Sequence, residues 1–332
     1  MKVISAVIGM GVGSKHLEAI DSIKNAEVKY ICEKNLNLIK ILRKKYPKKK
    51  IIKNPEIIYK DKSINLVSIA SYDEDHFDQV KNCLKANKHV IVEKPICLLP
   101  KQLKIIKKIL DKKKKLKLLS NLVLRTNSLF KILKKKIKGK KIYYIEADYL
   151  WGRIKKLYGW RSKEKNYSII SGAGVHMIDL VMWLLNSKPN YVFSTGNKIA
   201  TNNSKFKKNS FEIIVLEFPN NIKVKITANG PCIFDHFHEL KIFTKNQTFV
   251  HSFKGTFNVI NKKKKRVYSI INGSYPDKKN RKVLIQNFVK SIVYSKKIDI
   301  LSKKEIFDAM SVCFSAVKSS QKNKRLKISY LN

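Results

Sequence analysis

The run HVIVEKPICLLP, residues 89 to 100, passes from four residues suited to a buried strand straight into a glutamate, a lysine and a proline. A lysine at a strand mouth can donate to a substrate hydroxyl that is losing hydride and proton, and burial near another positive group makes its proton easier to give up. Glu93, Lys94 and Pro95 therefore form one chemical candidate. A second is Gly9-Met10-Gly11-Val12-Gly13-Ser14, set between an apolar run and a helical pattern. Backbone without a Cβ lets a pyrophosphate reach a helix N-terminus, where N–H groups point outward. The match to GxGxxG is imperfect, because Ser14 stands where the third glycine would be. Glu33 closes the next strand-like run, at the spacing where a carboxylate accepts from the adenosine ribose hydroxyls. That favours NAD, while the adjacent Lys34 leaves NADP open; the bland alternative is a tight structural turn with a surface glutamate.

Two further clusters carry reactive side chains. YLWGRIKKLYGWRSK, residues 149 to 163, combines Tyr149, Trp151 and Trp160 with the guanidinium forks of Arg153 and Arg161. That mixture suits a sugar ring or a phosphorylated sugar, and an aromatic core with surface charge is the competing reading. In the run Asp235, His236, Phe237, His238, Glu239, strand alternation puts the histidines on one side and the carboxylates on the other. Two histidines with no third ligand nearby predict a sheet or interface role and no metal.

These groups need elements to hold them. KVISAVI, AEVKYICEK, a short segment near Ile51, INLVSIAS and HVIVE read as strands, with helical patterns at 35 to 45 and 76 to 87 between them. Strands alternating with helices predict an N-terminal Rossmann domain, a doubly wound parallel sheet over residues 1–122. Ligands collect at the carboxyl ends of such strands, which is where Lys94 falls if HVIVE is the fifth. In the second half, KKIYYIEADYL, YVFSTGNKIA, SFEIIVLEF, NIKVKITANG, HELKIFT, QTFVHSF and RVYSII are strand-like with few helices among them. They predict an α+β domain with a large, mostly antiparallel open sheet over residues 123–332, for substrate binding and oligomerisation. Its last helices, near 281 to 295 and 303 to 321, are expected to pack back on the first domain.

At this point the chain resembles the Gfo/Idh/MocA oxidoreductases, which pair a Rossmann domain with a C-terminal antiparallel α/β domain. The marks are KHVIVEKPICL, the glycine turn followed by His16, IASYDEDH, and GAGVHMIDLVMWLL, and together they cover nearly the whole chain. The resemblance implies that Lys94 is catalytic and that His176 transfers protons or binds a hydroxyl. A core histidine beneath Met177 and Trp183 is the alternative for His176. Asp179 matches the HxxD pattern, and on a helix it shares a face with His176, where it orients the ring or meets substrate. By the same resemblance, Ser71, Tyr72 and His76 contact the dinucleotide, Asn121 lies near the nicotinamide, and Arg125 is a weaker substrate candidate. One departure stands out: many members carry aspartate four residues before the histidine, and this chain has Gly172. The implied activity is hydride transfer between NAD, or NADP, and a secondary alcohol carbon of a sugar, cyclitol or nucleotide sugar. Reduction of an imine or C=C bond lies within the family's range. The rival from another class is a non-catalytic dinucleotide- or sugar-sensing regulator on the same fold. Gly172 leans toward the sensor, and Lys94 with His176 toward the enzyme.

Composition bounds the partners. Of 332 residues, 71 are Lys or Arg against 24 Asp plus Glu, a formal net charge of +47, yet only seven of those bases are arginine. Readers of phosphate and bases favour the arginine fork, so the lysine excess reads as compositional drift on solvated faces, with no specific nucleic-acid partner. Five scattered cysteines lack CxxC spacing, no apolar run nears the length of a membrane span, and the N-terminal apolar stretch is too short for a usual signal peptide. The expectation is a cytoplasmic protein off the membrane. Its exposed second sheet predicts a homodimer or homotetramer, as in similar proteins.

Overall fold

The alternating pattern of the first third resolves into β1 (Val3–Ile8), α1 (Gly13–Asp21), β2 (Ala26–Cys32), α2 (Leu36–Lys45), β3 (Lys50–Ile52), α3 (Glu56–Lys60), β4 (Leu66–Ile69), α4 (Asp73–Lys85), β5 (His89–Val92), α5 (Pro100–Lys112) and β6 (Leu118–Ser120). The computed structural model describes residues 1–263, 265–276, 279–296 and 300–331. Onward run α6 (Ser128–Ile137), β7 (Ile142–Leu150), α7 (Trp160–Lys163), α8 (Val175–Leu185), β8 (Tyr191–Asn197), β9 (Phe211–Glu217), β10 (Lys223–Asn229), β11 (Phe237–Thr244), β12 (Gln247–Ser252), β13 (Gly255–Lys262), β14 (Lys265–Ile270), α9 (Asn280–Val293), α10 (Lys303–Lys322) and β15 (Leu326–Lys327). Two compact units result, Met1–Val123 with Lys278–Phe307, and Leu124–Asp277 with Asp308–Asn332.

Local chemistry explains the helix ends. Asn35 caps α2 by accepting from the Leu38 N–H at 3.0 Å, and Arg43, Lys44 and Lys45 sit in its last turn against the negative end of the dipole. Asn127 does the same for α6, accepting from Leu129 and Phe130. Asp73, Glu74 and Asp75 fill the first turn of α4, which begins at 73, ahead of the expected 76, because those acids favour the positive end.

In the first unit all six strands run parallel in the order β3-β2-β1-β4-β5-β6, the Rossmann arrangement. The strands are continuously apolar because both faces are covered, and Leu66, Val67, Val90, Ile91 and Val92 are fully buried. α9 returns from the far end of the chain to pack on α1 and β1, and the Met1 ammonium donates to Val293 O at 2.6 Å.

The second unit holds a nine-stranded sheet, β14-β13-β12-β11-β7-β10-β9-β8-β15. Its strands alternate buried and half-buried residues, so one face packs a core, and α8 lies on β7 and β10. The sheet is mixed, because β7 and β10 pair in parallel while the other neighbours are antiparallel. Sequence alternation cannot report strand direction. β13 went unread because its burial does not alternate cleanly and its sequence is interrupted by asparagine and lysine.

Candidate active site

Residues one step beyond the strand ends of the first sheet are held by continuations of its ladder. Gly9 N donates to Cys32 O at 2.8 Å, Glu33 N to Ile52 O at 3.0 Å, Ala70 N to Ile8 O at 2.7 Å, Glu93 N to Ile69 O at 2.9 Å and Asn121 N to Val92 O at 3.0 Å. The carboxyl rim is thus fixed by main-chain bonds, and the side chains leave it from known positions. At Gly9 (φ +82°) a Cβ would lie 2.6 Å from Ala70 O, so only glycine allows β1 and β4 to approach so closely. Gly11, by contrast, has nothing within 4 Å of a built Cβ, leaving its backbone open at the start of α1. Ser14 Oγ turns back to donate to Gly11 O at 3.2 Å. Glu33 Oε2 accepts from Met10 N at 2.9 Å, and Oε1 accepts from the amides of Lys34 and Asn35. The carboxylate is therefore locked to the glycine turn. Lys34 Nζ pairs with Asp75 at 2.9 Å, which draws its charge to α4.

Glu93 is the hub of a buried polar cluster. Its Oε1 accepts from Asn121 Nδ2 and from His16 Nε2 at 3.1 Å, while His16 Nδ1 meets Ser68 Oγ at 2.8 Å and Arg281 Nε stands 3.6 Å from the same oxygen. Burial alone pushes this carboxyl up, but the His16 hydrogen bond and the charges of His16, Arg281 and Lys94 outweigh it and hold it at about 2. Asn121, 1% exposed, has a buried Oδ1 with no hydrogen-bond partner among the described residues. His76 is fully buried and ties two loops together, with Nδ1 2.7 Å from Pro95 O and Nε2 3.2 Å from Ser71 O. Ser71 Oγ donates to Gln79, and Tyr72 is exposed. Lys94 is half-buried where the chain leaves β5, and its bond to Pro95 is cis.

In the second unit the last turn before α8 is a π-helix, Ile170–Gly174, and His176 and Asp179 lie in the first two turns of the buried α-helix. Asp179 is spent on Arg125 in a fully buried bidentate pair, Nε to Oδ2 at 2.9 Å and Nη2 to Oδ1 at 2.7 Å, which pins α8 to the segment before α6. His176 stacks on Tyr149, ring centroids 5.8 Å apart and nearly parallel, and Tyr149 also meets His236 and His238 edge-on. His236 Nε2 is 3.1 Å from the Tyr149 hydroxyl, and His238 Nδ1 makes a short hydrogen bond to the Tyr275 hydroxyl. The two histidines do share a side, 5.0 Å apart, in an aromatic cluster. Arg161 lies over Trp160 at 4.2 Å, with Trp151 and Tyr167 farther off, while Arg153 is exposed at the edge of this loop. Burial, then the charges of Arg153 and Arg161, lowers the Lys156 pKa, so the loop is electropositive.

Sequence reasoning left His16, Ser68 and Arg281 out of the site, although His16 was a family mark. Arg281 arrives from a helix remote in the chain, and no local pattern announces it. The first unit fits a dinucleotide: an open glycine backbone at a helix start, an anchored carboxylate on the next strand, and an orphaned carbonyl oxygen of Asn121 that suits a carboxamide NH2.

A parallel sheet with such a rim defines a dinucleotide-binding fold. The sequence profile of the oxidoreductase family with NAD-binding Rossmann fold matches residues 4–121, and that of the family's C-terminal alpha/beta domain matches residues 134–328. The chain belongs to the Gfo/Idh/MocA oxidoreductase family. It is 22% identical over 271 residues to the myo-inositol 2-dehydrogenase of Thermotoga maritima, covering 76% of this chain and 77% of that one. Among solved structures it is similar to a scyllo-inositol dehydrogenase from Lactobacillus casei with bound NAD(H) and scyllo-inositol, with TM-score 0.82, 15% identity, and 98% and 99% of the two chains covered. It is also similar to a levoglucosan dehydrogenase in complex with NADH and L-sorbose, with TM-score 0.85, 15% identity and all of both chains covered. Among the described residues no helix is long and apolar enough to cross a membrane.

Proposed function

We propose that this chain is an NAD-dependent dehydrogenase that moves hydride between nicotinamide and a secondary alcohol carbon of a sugar, cyclitol or nucleotide sugar. The observation that carries it is the carboxyl rim of the first sheet, where the open Gly11 backbone, the anchored Glu33 and the orphaned Asn121 Oδ1 stand with Lys94 on one edge. The inositol and levoglucosan dehydrogenases that share the fold support this substrate class.

Gly9, Gly11, Val12, Gly13 and Ser14 cradle the pyrophosphate, and Glu33 accepts from the adenosine ribose. The Lys34–Asp75 pair, which holds the lysine charge away, favours NAD over NADP. Ser71, Tyr72, His76, Glu93, Lys94 and Pro95 line the cofactor along the rim, and Asn121 receives the carboxamide. The bound cofactor supplies the hydride acceptor. Lys94 Nζ polarises the substrate oxygen and shuttles its proton with the His176 imidazole. Tyr149, Trp160, Arg153 and Arg161 meet the sugar body, the guanidinium groups meeting any anionic substituent, while Arg125 and Asp179 keep α8 in place. Residues 1–122 bind cofactor and 123–332 bind substrate and assemble a homodimer or homotetramer. Five unpaired cysteines, four of them buried, fit a reducing cytoplasm.

The test is NAD reduction by the purified protein across a panel of inositols, aldoses and UDP-sugars. Lys94→Ala should lose at least a hundredfold in kcat, within the usual span for a general acid or base, while the fold and the glycine-turn end of the cofactor site stay intact. Retained turnover in that variant would refute the assignment, and a sensor would keep ligand-dependent binding with no turnover in either protein.

A further inference from the structure

The C-terminal ends of α6 and α8 meet around a cavity of about 780 Å³ that the dehydrogenase chemistry does not use, a volume within the range of small-molecule sites. Its floor is hydrocarbon. Ile137 and Leu184 are buried there, with Trp183, Leu185 and Ile222 half-buried beside them. Its rim is cationic: Lys131, Lys134, Lys135, Lys138 and Lys140 surround the floor, and no Asp or Glu lines the cavity. The chain is lysine-rich throughout, so charge alone marks nothing; ammonium groups set around an apolar floor make this place different. One lysine of the rim has a structural task. Lys134 Nζ donates to Trp183 O at 2.6 Å and lies 4.1 Å from the centre of the indole, so it meets the last turn of α8 and covers one face of Trp183. Asn186 N and Ser187 N donate to carbonyls of the same turn. The negative ends of two helices amount together to about one unit charge, which Lys134 balances. Lys131, Lys135, Lys138 and Lys140 are exposed, and among the described residues none of their ammonium groups forms an ion pair or hydrogen bond.

We propose that this cavity binds one small amphipathic anion, a phosphate monoester on a hydrocarbon body, with its head among the four unpaired lysines and its chain on Trp183, Leu184 and Ile222. Lysine meets phosphate as a point charge, and several uncompensated ammonium groups suit a doubly charged head better than a carboxylate. A nucleotide fits less well, because its base and ribose carry polar edges that Ile, Leu and Trp side chains leave unpaired. A bilayer surface also fits less well. Seating in it takes apolar groups that protrude, and here they lie beneath the lysines. The inference stands apart from the dehydrogenase reading.

The test is calorimetric titration of the full-length protein with decyl phosphate below its micelle concentration. A single equivalent should bind. Decanol, which lacks the head, and inorganic phosphate, which lacks the chain, should each bind weaker by roughly tenfold or more. Lys135→Glu combined with Lys138→Glu should weaken decyl phosphate roughly tenfold with the melting temperature unchanged, since both residues are exposed. Lys112→Glu combined with Lys115→Glu makes the same change of net charge in the first unit and should leave the affinity as in wild type. Equal losses in the two double variants would mean diffuse attraction to a basic protein, and inorganic phosphate binding as tightly as decyl phosphate would mean an adventitious ion only; either overturns the proposal. So does the absence of stoichiometric binding, including the case in which the protein instead adsorbs to anionic phospholipid vesicles through Lys135 and Lys138, which would make the occupant a membrane surface.

Discussion

Replacing Glu93 by glutamine isolates the electrostatics of the buried cluster. The amide oxygen still accepts from His16 and Asn121, so the hydrogen bonds survive while the attraction to His16, Arg281 and Lys94 is lost. A carboxyl held at about 2 in the fold and near 4.5 in the unfolded chain stabilises the native state by about 3 kcal/mol at neutral pH. The sign follows from proton uptake: the unfolded chain protonates first, so this stabilisation is full above pH 4.5 and shrinks as pH falls toward 2. About 1 kcal/mol of it is gone by pH 4. Urea unfolding of wild type and Glu93→Gln at pH 7, 5 and 4 reads the difference directly. It should be about 3 kcal/mol at pH 7 and narrow by about 1 kcal/mol at pH 4. A difference below about 0.5 kcal/mol at pH 7, of the size expected for an uninvolved surface change, would show that the cations do not act on Glu93 as the distances imply.

Two more outcomes follow from buried groups. Asp179→Ala leaves the Arg125 guanidinium charged and buried without its partner, so chemical unfolding should show a loss of about 3 to 5 kcal/mol, well above a surface substitution. His251 is buried with Nε2 unpartnered among the described residues, and burial holds its pKa down at about 4. Its folded pKa is depressed, so the unfolded chain binds the proton first and stability falls as pH drops from 6.5 toward 4, by about 2 kcal/mol at pH 5. His251→Phe should flatten the wild-type decline in urea midpoint between pH 7 and 5 by that amount, and an unchanged slope would place the effect elsewhere.

Where burial is two-sided, the first half of the chain could be read directly. Continuous apolar runs bounded by glycine and helical patterns located five of the six strands, β1 to β5, to within two residues, while β6 lies earlier than the strand expected near 120 to 125; Glu33, Glu93 and Asn121 all stand just past strand ends. The second half gave its strands by alternation but not the parallel β7–β10 pair, because direction is set by the connection through α8 and the strands between, not by the residues on a face. The site divides the same way. Gly11 and Glu33 carry local spacing, whereas Arg281 reaches Glu93 only through the return of α9.

The return of α9 also sets an order of assembly. A chain made from its N-terminus emerges with β1 to β6 first, yet the helix that covers α1 and brings Arg281 to Glu93 follows nearly all of the second sheet. During synthesis the nascent Rossmann layer therefore waits with one flank of α1 bare, and its acidic hub is short of one counter-cation until translation is almost over. The half of the protein that is begun first is the half completed late, and a ribosome stalled before residue 280 releases a cofactor layer without its closing helix.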